Sequence, residues 1–306
     1  MGKIAFVFSG QGAQYPGMGK ELYDISDAAK KVFEAADAVR PGTSSQCFEG
    51  TKEELFLTKN TQPCMFAVDF AAAVALREKG IVPDVVAGFS LGEIPAVTFA
   101  GMIDIEDGFK TVVKRGEYMN EAAGENEGVM FAVVKLENNV VEDICAAFDM
   151  CYPVNYNCPG QLTCAMQKSV ADDFAAKVKE SGGRAIPLSV SGGFHSPFMK
   201  SAAKKLSEYI ENYKFNEPEI DVYSNYTAGK YTAKEARELL SKQVENPVKW
   251  QMIVENMIDE GVDTFIEVGP GKTLAGLVSK ISKEVRVLNV ENGESLLKTT
   301  EALKER

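Results

Sequence analysis

The chain has 306 residues, 45% of them hydrophobic and 25% charged, with a net charge of −11. That length buries a large core and fits one large domain, or one domain carrying a smaller insert. The acidic balance argues against nucleic acid or an anionic membrane as the main partner. No apolar run is long enough for a transmembrane helix.

The first residues enter a strand-like run directly, without the basic and long apolar regions of a signal peptide. The six cysteines (Cys47, Cys64, Cys145, Cys151, Cys158, Cys164) show no CxxC spacing, and there is a single histidine. No metal site is therefore expected. Reduced, partly buried thiols and a cytoplasmic location are the expectation.

"KIAFVFSG" opens the chain as an apolar, β-rich run ending in the glycine loop "SGQGAQYPGMG". "KELYDISDAAKKVFEAAD" and "QPCMFAVDFAAAVALREKG" have helical patterns, and "VPDVVAGFS" repeats the strand-to-glycine break. Much later, "VDTFIEVGPGKTLAGLVSKI" reads as strand, glycine turn and helix. Apolar strands alternating with amphipathic helices predict an α/β fold with a mainly parallel sheet covered on both faces.

The middle of the chain differs. "GVMFAVVKL" reads as a strand, "ENNVVEDICAAFD" as a helix, "YPVNYN" and "QLTCAM" as a strand pair joined through "CPG". "SVADDFAAKVKESG" then reads as a helix and "RAIPLSV" as a strand. This β-α-β-β-α-β order predicts a ferredoxin-like small domain at 126–191, inserted into a large domain made of 1–125 and 192–306.

Two glycine motifs invite a nucleotide reading and fail it. "VGPGKT" at 268–273 has Ile266 where a P-loop needs its first glycine, which leaves a tight strand-to-helix turn. "GQGAQY" at 10–15 has Tyr15 at the last glycine position of the dinucleotide fingerprint.

"GFSLG" at 88–92 is a Gly-x-Ser-x-Gly centred on Ser90, following an apolar strand and preceding a helical stretch. Such a serine sits on a strained strand-to-helix turn as a nucleophile, with glycines where larger side chains would clash. Only His195, in the glycine-rich "SGGFHSPFM", is available as an imidazole base; the alternative for a lone histidine is a satisfied structural residue. Arg115, in the helical "TVVKRGEYMNEA", is either a solvated helix-face arginine or a bidentate clamp on a substrate carboxylate.

Together these stretches resemble the malonyl-CoA:acyl carrier protein transacylases, the malonyl-loading enzymes of fatty acid synthesis. The resemblance rests on "FVFSGQGAQYPGMG", "GFSLGE", "RGEYMNEA", "NYNCPGQ", "GGFHSPFM", "ENPVKW" and "FIEVGPGKTL", in order and at near-constant spacing from Met1 to about Asn289. It implies a hydrolase-like α/β domain with a ferredoxin-like insert, and a Ser-His dyad acting in a ping-pong cycle. Ser90 would attack the thioester of malonyl-CoA. His195 would accept the serine proton, oriented by a backbone carbonyl in the "NPVK" loop at 246–249.

The resemblance further implies an oxyanion hole built from the backbone N–H groups of Gln11 and Leu91, and a substrate-carboxylate role for Arg115. No cofactor is implied beyond the coenzyme A thioester as substrate. Phe89 departs from the pattern, which has histidine before the serine, while Phe194 matches the malonyl-preferring form. Acyl carrier protein is the implied partner, and Lys200, Lys204 and Lys205 on a following helix are candidates for docking it. Competing readings are a trans-acting polyketide synthase acyltransferase, an acyl-carrier-protein acyl hydrolase, a general serine esterase indifferent to Arg115, and a non-catalytic scaffold.

Overall fold

The computed structural model describes residues 2–304; Met1, Glu305 and Arg306, at the ends assigned to the large domain, lie outside the described residues. Strands β1 (Lys3–Phe8), β2 (Val85–Gly88), β7 (Asp221–Tyr223), β8 (Val262–Val268) and β9 (Arg286–Val290) form one sheet, ordered β7-β2-β1-β8-β9. Every pairing in it is parallel. Strands β3 (Gly128–Val134), β4 (Cys151–Cys158), β5 (Gln161–Gln167) and β6 (Arg184–Pro187) form a second, antiparallel sheet ordered β4-β5-β3-β6. Helices Asn138–Ala146 and Ala171–Glu180 occupy its two crossovers, which gives the β-α-β-β-α-β order with the sheet order expected of that motif.

β7 and β9 carry too little alternation to stand out in the sequence: one is three residues long, the other five. "KELYDISDAAKKVFEAAD" divides into helices Lys20–Ile25 and Asp27–Val39, because Ser26 adopts extended dihedrals and its hydroxyl caps the Ala29 N–H at 3.1 Å. The helix Thr58–Glu78 is buried without interruption from Thr61 to Leu76. A helix apolar on every side belongs inside a core, and this one packs against Asp27–Val39 on one side and Ile105–Glu125 on another.

In the parallel sheet, β1 is the switch point: the chain adds β2 and β7 on one side of it, then β8 and β9 on the other. Loops leaving the carboxyl ends of strands diverge at such a point and open a crevice. The loop after β1 and the turn after β8 line that crevice here, through Gln11, Gly12, Thr273 and Leu274.

The turn after β8 also explains why "VGPGKT" is not a phosphate loop. Glu267 accepts the Leu274 and Ala275 N–H groups at 3.1 and 2.8 Å, so the N-terminus of helix Thr273–Ile281 already holds an anion. Gly269 (φ 123°) lies against the buried Asp69, whose Oδ1 would be 1.9 Å from any added Cβ. Burial pushes the Asp69 carboxyl well up, and the neighbouring Glu267 pushes it further.

The small sheet is stitched, beside the site, to the segment that leads into helix Trp250–Asp259. Val248 pairs with β4, accepting the Tyr156 N–H at 3.0 Å and donating to the Val154 carbonyl at 2.8 Å. No described helix is long and apolar enough to cross a membrane.

Candidate active site

Ser90 follows β2 on a 3-10 turn, Ser90–Gly92, with φ 56°. This left-handed conformation is uncommon for a residue with a side chain and points the hydroxyl out of the sheet. Both flanking glycines are needed for the turn to fit. A Cβ on Gly88 would lie 1.9 Å from the Gly92 backbone, and one on Gly92 would lie 2.3 Å from the Phe8 carbonyl of the neighbouring strand. The turn is held further by the Asn225 carboxamide, which accepts the Ser90 N–H at 2.7 Å and donates to the Gly88 carbonyl at 2.6 Å.

His195 also has a left-handed backbone (φ 60°) and is 3% exposed. Its Nε2 lies 2.7 Å from Ser90 Oγ. Its Nδ1 lies 2.8 Å from the Gln243 carbonyl. A carbonyl only accepts, so Nδ1 carries the proton and Nε2 is free to take one from the serine.

The orienting carbonyl thus belongs to Gln243, three residues before the 246–249 stretch expected to supply it. The Asn246 backbone adds only a weaker pull on the ring. Within the expected loop, Val248 gives its carbonyl to β4 instead. Desolvation pushes the His195 pKa down to about 3, and the Arg115 guanidinium adds to the shift.

Arg115 is 1% exposed, not solvated. Its Nη1 donates to Gln62 Oε1 at 2.8 Å, and its Nη2 to Gln243 Oε1 at 2.7 Å and to Ser90 Oγ at 3.2 Å. Its Nε has no partner, and no carboxylate lies within ion-pairing distance of the guanidinium among the described residues. Burial lowers its pKa to about 10, so it remains a cation at neutral pH. A buried cation facing a reactive hydroxyl, partnered only by neutral amides there, is an acceptor site for a substrate anion.

Gln11, in the loop after β1, lines the Ser90 cavity. Its backbone N–H makes no hydrogen bond among the described residues, while its side chain donates to Thr58 Oγ1 at 3.4 Å. Leu91 is the second residue of the 3-10 turn, where an N–H has no acceptor within the turn. The cavity at Ser90 is small, about 90 Å³, with Met119, Met130 and Phe194 among its walls. It adjoins a second cavity of about 230 Å³ in the β1/β8 crevice, and Gln11, Phe89, Asn155 and Leu188 line both. Phe89 therefore forms part of the neck between them, its ring held edge-on against Trp250 at 5.6 Å.

Lys200 and Lys204 are not brought to these cavities. They line a separate groove of about 710 Å³, which shares no lining residue with the Ser90 cavity. Lys205 points elsewhere and pairs with Glu121 at 2.8 Å.

Four residues of the site escaped the sequence reading. Glu93 stands inside the quoted "GFSLGE", and Gln243 lies just ahead of "ENPVKW". Asn225 and Gln62 have no local signal at all, because only the fold carries them to Ser90 and Arg115.

The chain is similar to known proteins over its whole length. The profile of the family described as "acyl transferase domain" matches residues 5–297. The malonyl CoA-acyl carrier protein transacylase of Bacillus subtilis (strain 168) is 41% identical, with 100% of this chain and 98% of that protein covered. The protein of the same name from Staphylococcus aureus (strain MRSA252) is 36% identical, with 97% and 98% covered.

Among solved structures, the malonyl CoA-acyl carrier protein transacylase from Clostridium perfringens superposes with a TM-score of 0.95 at 39% identity, covering 99% of this chain and 98% of that one. A malonyl-transacylase in complex with its type II PKS acyl-carrier protein superposes with a TM-score of 0.94 at 34% identity, covering 98% and 99%.

His195 is the only histidine, so its ring gives one unassigned-by-mutation set of imidazole NMR signals. Those signals are expected to stay at the neutral-imidazole position from pH 8 down to pH 5. A full titration centred near 6.5, the ordinary histidine value, would contradict the buried dyad.

Proposed function

The chain belongs to the acyl transferase domain family, and we propose that it transfers a malonyl group from coenzyme A to the phosphopantetheine thiol of acyl carrier protein. This is the malonyl-loading step of fatty acid synthesis. The observation that carries the reading is Arg115: a buried cation without an ion-pair partner, its Nη2 3.2 Å from Ser90 Oγ. A thioester whose acyl group ends in a carboxylate satisfies both residues at once.

In the proposed cycle, Ser90 Oγ attacks the thioester carbon while its proton passes to His195 Nε2. The Nδ1–H bond to the Gln243 carbonyl stabilises the imidazolium that forms. Charge on the thioester oxygen is received by the Gln11 and Leu91 N–H groups; losing such a donor typically costs about 3 kcal/mol of barrier. As the C–S bond breaks, His195 returns the proton to the coenzyme A thiolate, leaving a malonyl ester on Ser90. The carrier thiol then attacks the ester in the reverse sense, giving up its proton through His195 to Ser90 Oγ.

Arg115 holds the malonyl carboxylate throughout. With an acetyl group it would stay unpaired in a desolvated site, which is the basis for discrimination. The reading requires no cofactor besides the thioester substrate and places the enzyme in the cytoplasm. It takes 126–191 as an inserted domain roofing the site, and it keeps Lys200, Lys204 and Lys205 as the carrier-docking surface on charge complementarity alone.

Brief exposure to malonyl-CoA is expected to give a malonyl adduct by intact-mass spectrometry, absent in Ser90→Ala and weak with acetyl-CoA. Equal adducts from both thioesters would overturn the role of Arg115, and coenzyme A release without an adduct would favour a hydrolase. Replacing Lys200, Lys204 and Lys205 by Ala is expected to raise KM for carrier protein severalfold with KM for malonyl-CoA unchanged. An unchanged carrier KM would remove these lysines from the docking surface.

A further inference from the structure

Glu93 is fully buried one turn beyond the nucleophile, and the cycle above does not use it. Its Oε2 accepts the Gln243 Nε2–H at 2.9 Å and the Asn225 N–H at 3.2 Å. Its Oε1 makes no hydrogen bond among the described residues. The Gln243 amide in turn gives its Oε1 to Arg115 at 2.7 Å. Glu93 and Arg115 therefore sit on opposite ends of one amide group, close enough to feel each other's charge without touching.

This arrangement has two consequences. A carboxylate at Glu93 only accepts and the guanidinium only donates, so together they hold the Gln243 amide with its NH2 towards Glu93 and its oxygen towards Arg115. The same carboxylate is also the anion that compensates Arg115 before substrate arrives. A malonyl carboxylate arriving on Arg115 makes a second negative charge in the same dry space, and two anions there repel.

We propose that Glu93 tunes the substrate-carboxylate clamp from behind the Gln243 amide: its charge competes with the malonyl carboxylate for Arg115, so that malonyl loading draws a proton from solvent onto Glu93. The inference rests on the assignment of Ser90 and Arg115 above. The balance is simple. Ser90 exchanges its proton for the malonyl group, the thiol of coenzyme A leaves with that proton, and one further proton moves from water to a Glu93 oxygen. By linkage, the coupling is reciprocal: protonated Glu93 strengthens malonyl binding as much as bound malonyl favours protonated Glu93.

The surroundings suit such a role. Burial raises the Glu93 pKa to about 7, against the opposing pull of the Gln243 and Asn225 hydrogen bonds, the nearby Tyr231 hydroxyl and the Arg115 charge. The titratable and charged groups facing it are Arg115, from helix Ile105–Glu125, and the buried Tyr231 hydroxyl, which stays neutral because burial and Glu93 itself push its pKa well up. The neutral His195 lies beyond Arg115 and Gln243 and contributes no charge.

The test measures KM for malonyl-CoA from pH 6 to 8.5 in wild type and in Glu93→Gln, with thermal unfolding confirming that the variant folds. Wild-type KM is expected to rise more than tenfold across this range, by at most tenfold per pH unit for one coupled proton. In Glu93→Gln it should vary less than twofold and stay near the wild-type low-pH value. A second measurement needs no variant: in weak buffer with an indicator dye, wild type should take up close to one proton per acyl-enzyme at pH 8 and close to none at pH 6.

A wild-type KM independent of pH, a variant KM that tracks wild type, or no proton uptake at pH 8 would each overturn the proposal. Failure to form any malonyl-Ser90 adduct would instead overturn the functional reading beneath it. An adduct formed normally, without the proton linkage, would sink only the role of Glu93.

Discussion

Gln243 commits every polar group it has, apart from its own N–H, to the reactive centre. Its carbonyl accepts from His195 Nδ1, its Oε1 accepts from Arg115, and its Nε2 donates to the Ser90 carbonyl at 2.7 Å and to Glu93. One fully buried residue thus sets the tautomer of the base, the position of the cation and the carbonyl of the nucleophile's own turn. It rides on a 3-10 turn, Gln243–Glu245, that ends the helix Ala233–Lys242. In the proposed cycle a dyad needs no third acid, because a main-chain dipole fixed by the fold orients His195 and because burial and Arg115 keep the imidazole neutral.

The other constraint is backbone contact. β2 and β1 lie so close at their carboxyl ends that Gly92 touches the Phe8 carbonyl, and only glycine permits this. That closeness brings Gln11, on the loop after β1, to the same cavity as Ser90. The switch point at β1 then opens the crevice along which a long thioester arm can reach the serine. Burying Arg115 beside this channel is unfavourable in isolation, since a desolvated cation costs several kcal/mol. Hydrogen bonds to Gln62 and Gln243, and the Glu93 charge behind the amide, offset the cost.

Much of this was legible in the sequence, for identifiable reasons. Strands β1, β2 and β8 are apolar runs that end at glycine, and the small sheet has clean strand and helix periods, so the small sheet and the three central strands of the parallel one are legible. Ser90 and His195 announce themselves, one by its flanking glycines and the other by being the sole imidazole. The short strands β7 and β9 did not show, and neither did Asn225, which is brought to Ser90 across 135 positions. The orienting carbonyl was placed a few residues late because any residue can supply a carbonyl, so no side chain marks the position. The docking lysines were read from charge alone, and charge does not say which face of the molecule holds the channel.

The central claim, that Gln243 couples base and cation, is tested most directly by single-turnover acylation of Gln243→Leu with malonyl-CoA and acetyl-CoA in parallel. Loss of the Oε1 and Nε2 contacts is predicted to slow malonylation at least tenfold and to erase most of the preference for malonyl over acetyl, in a protein that still unfolds cooperatively. A folded variant that keeps both the wild-type rate and the wild-type preference would contradict the account.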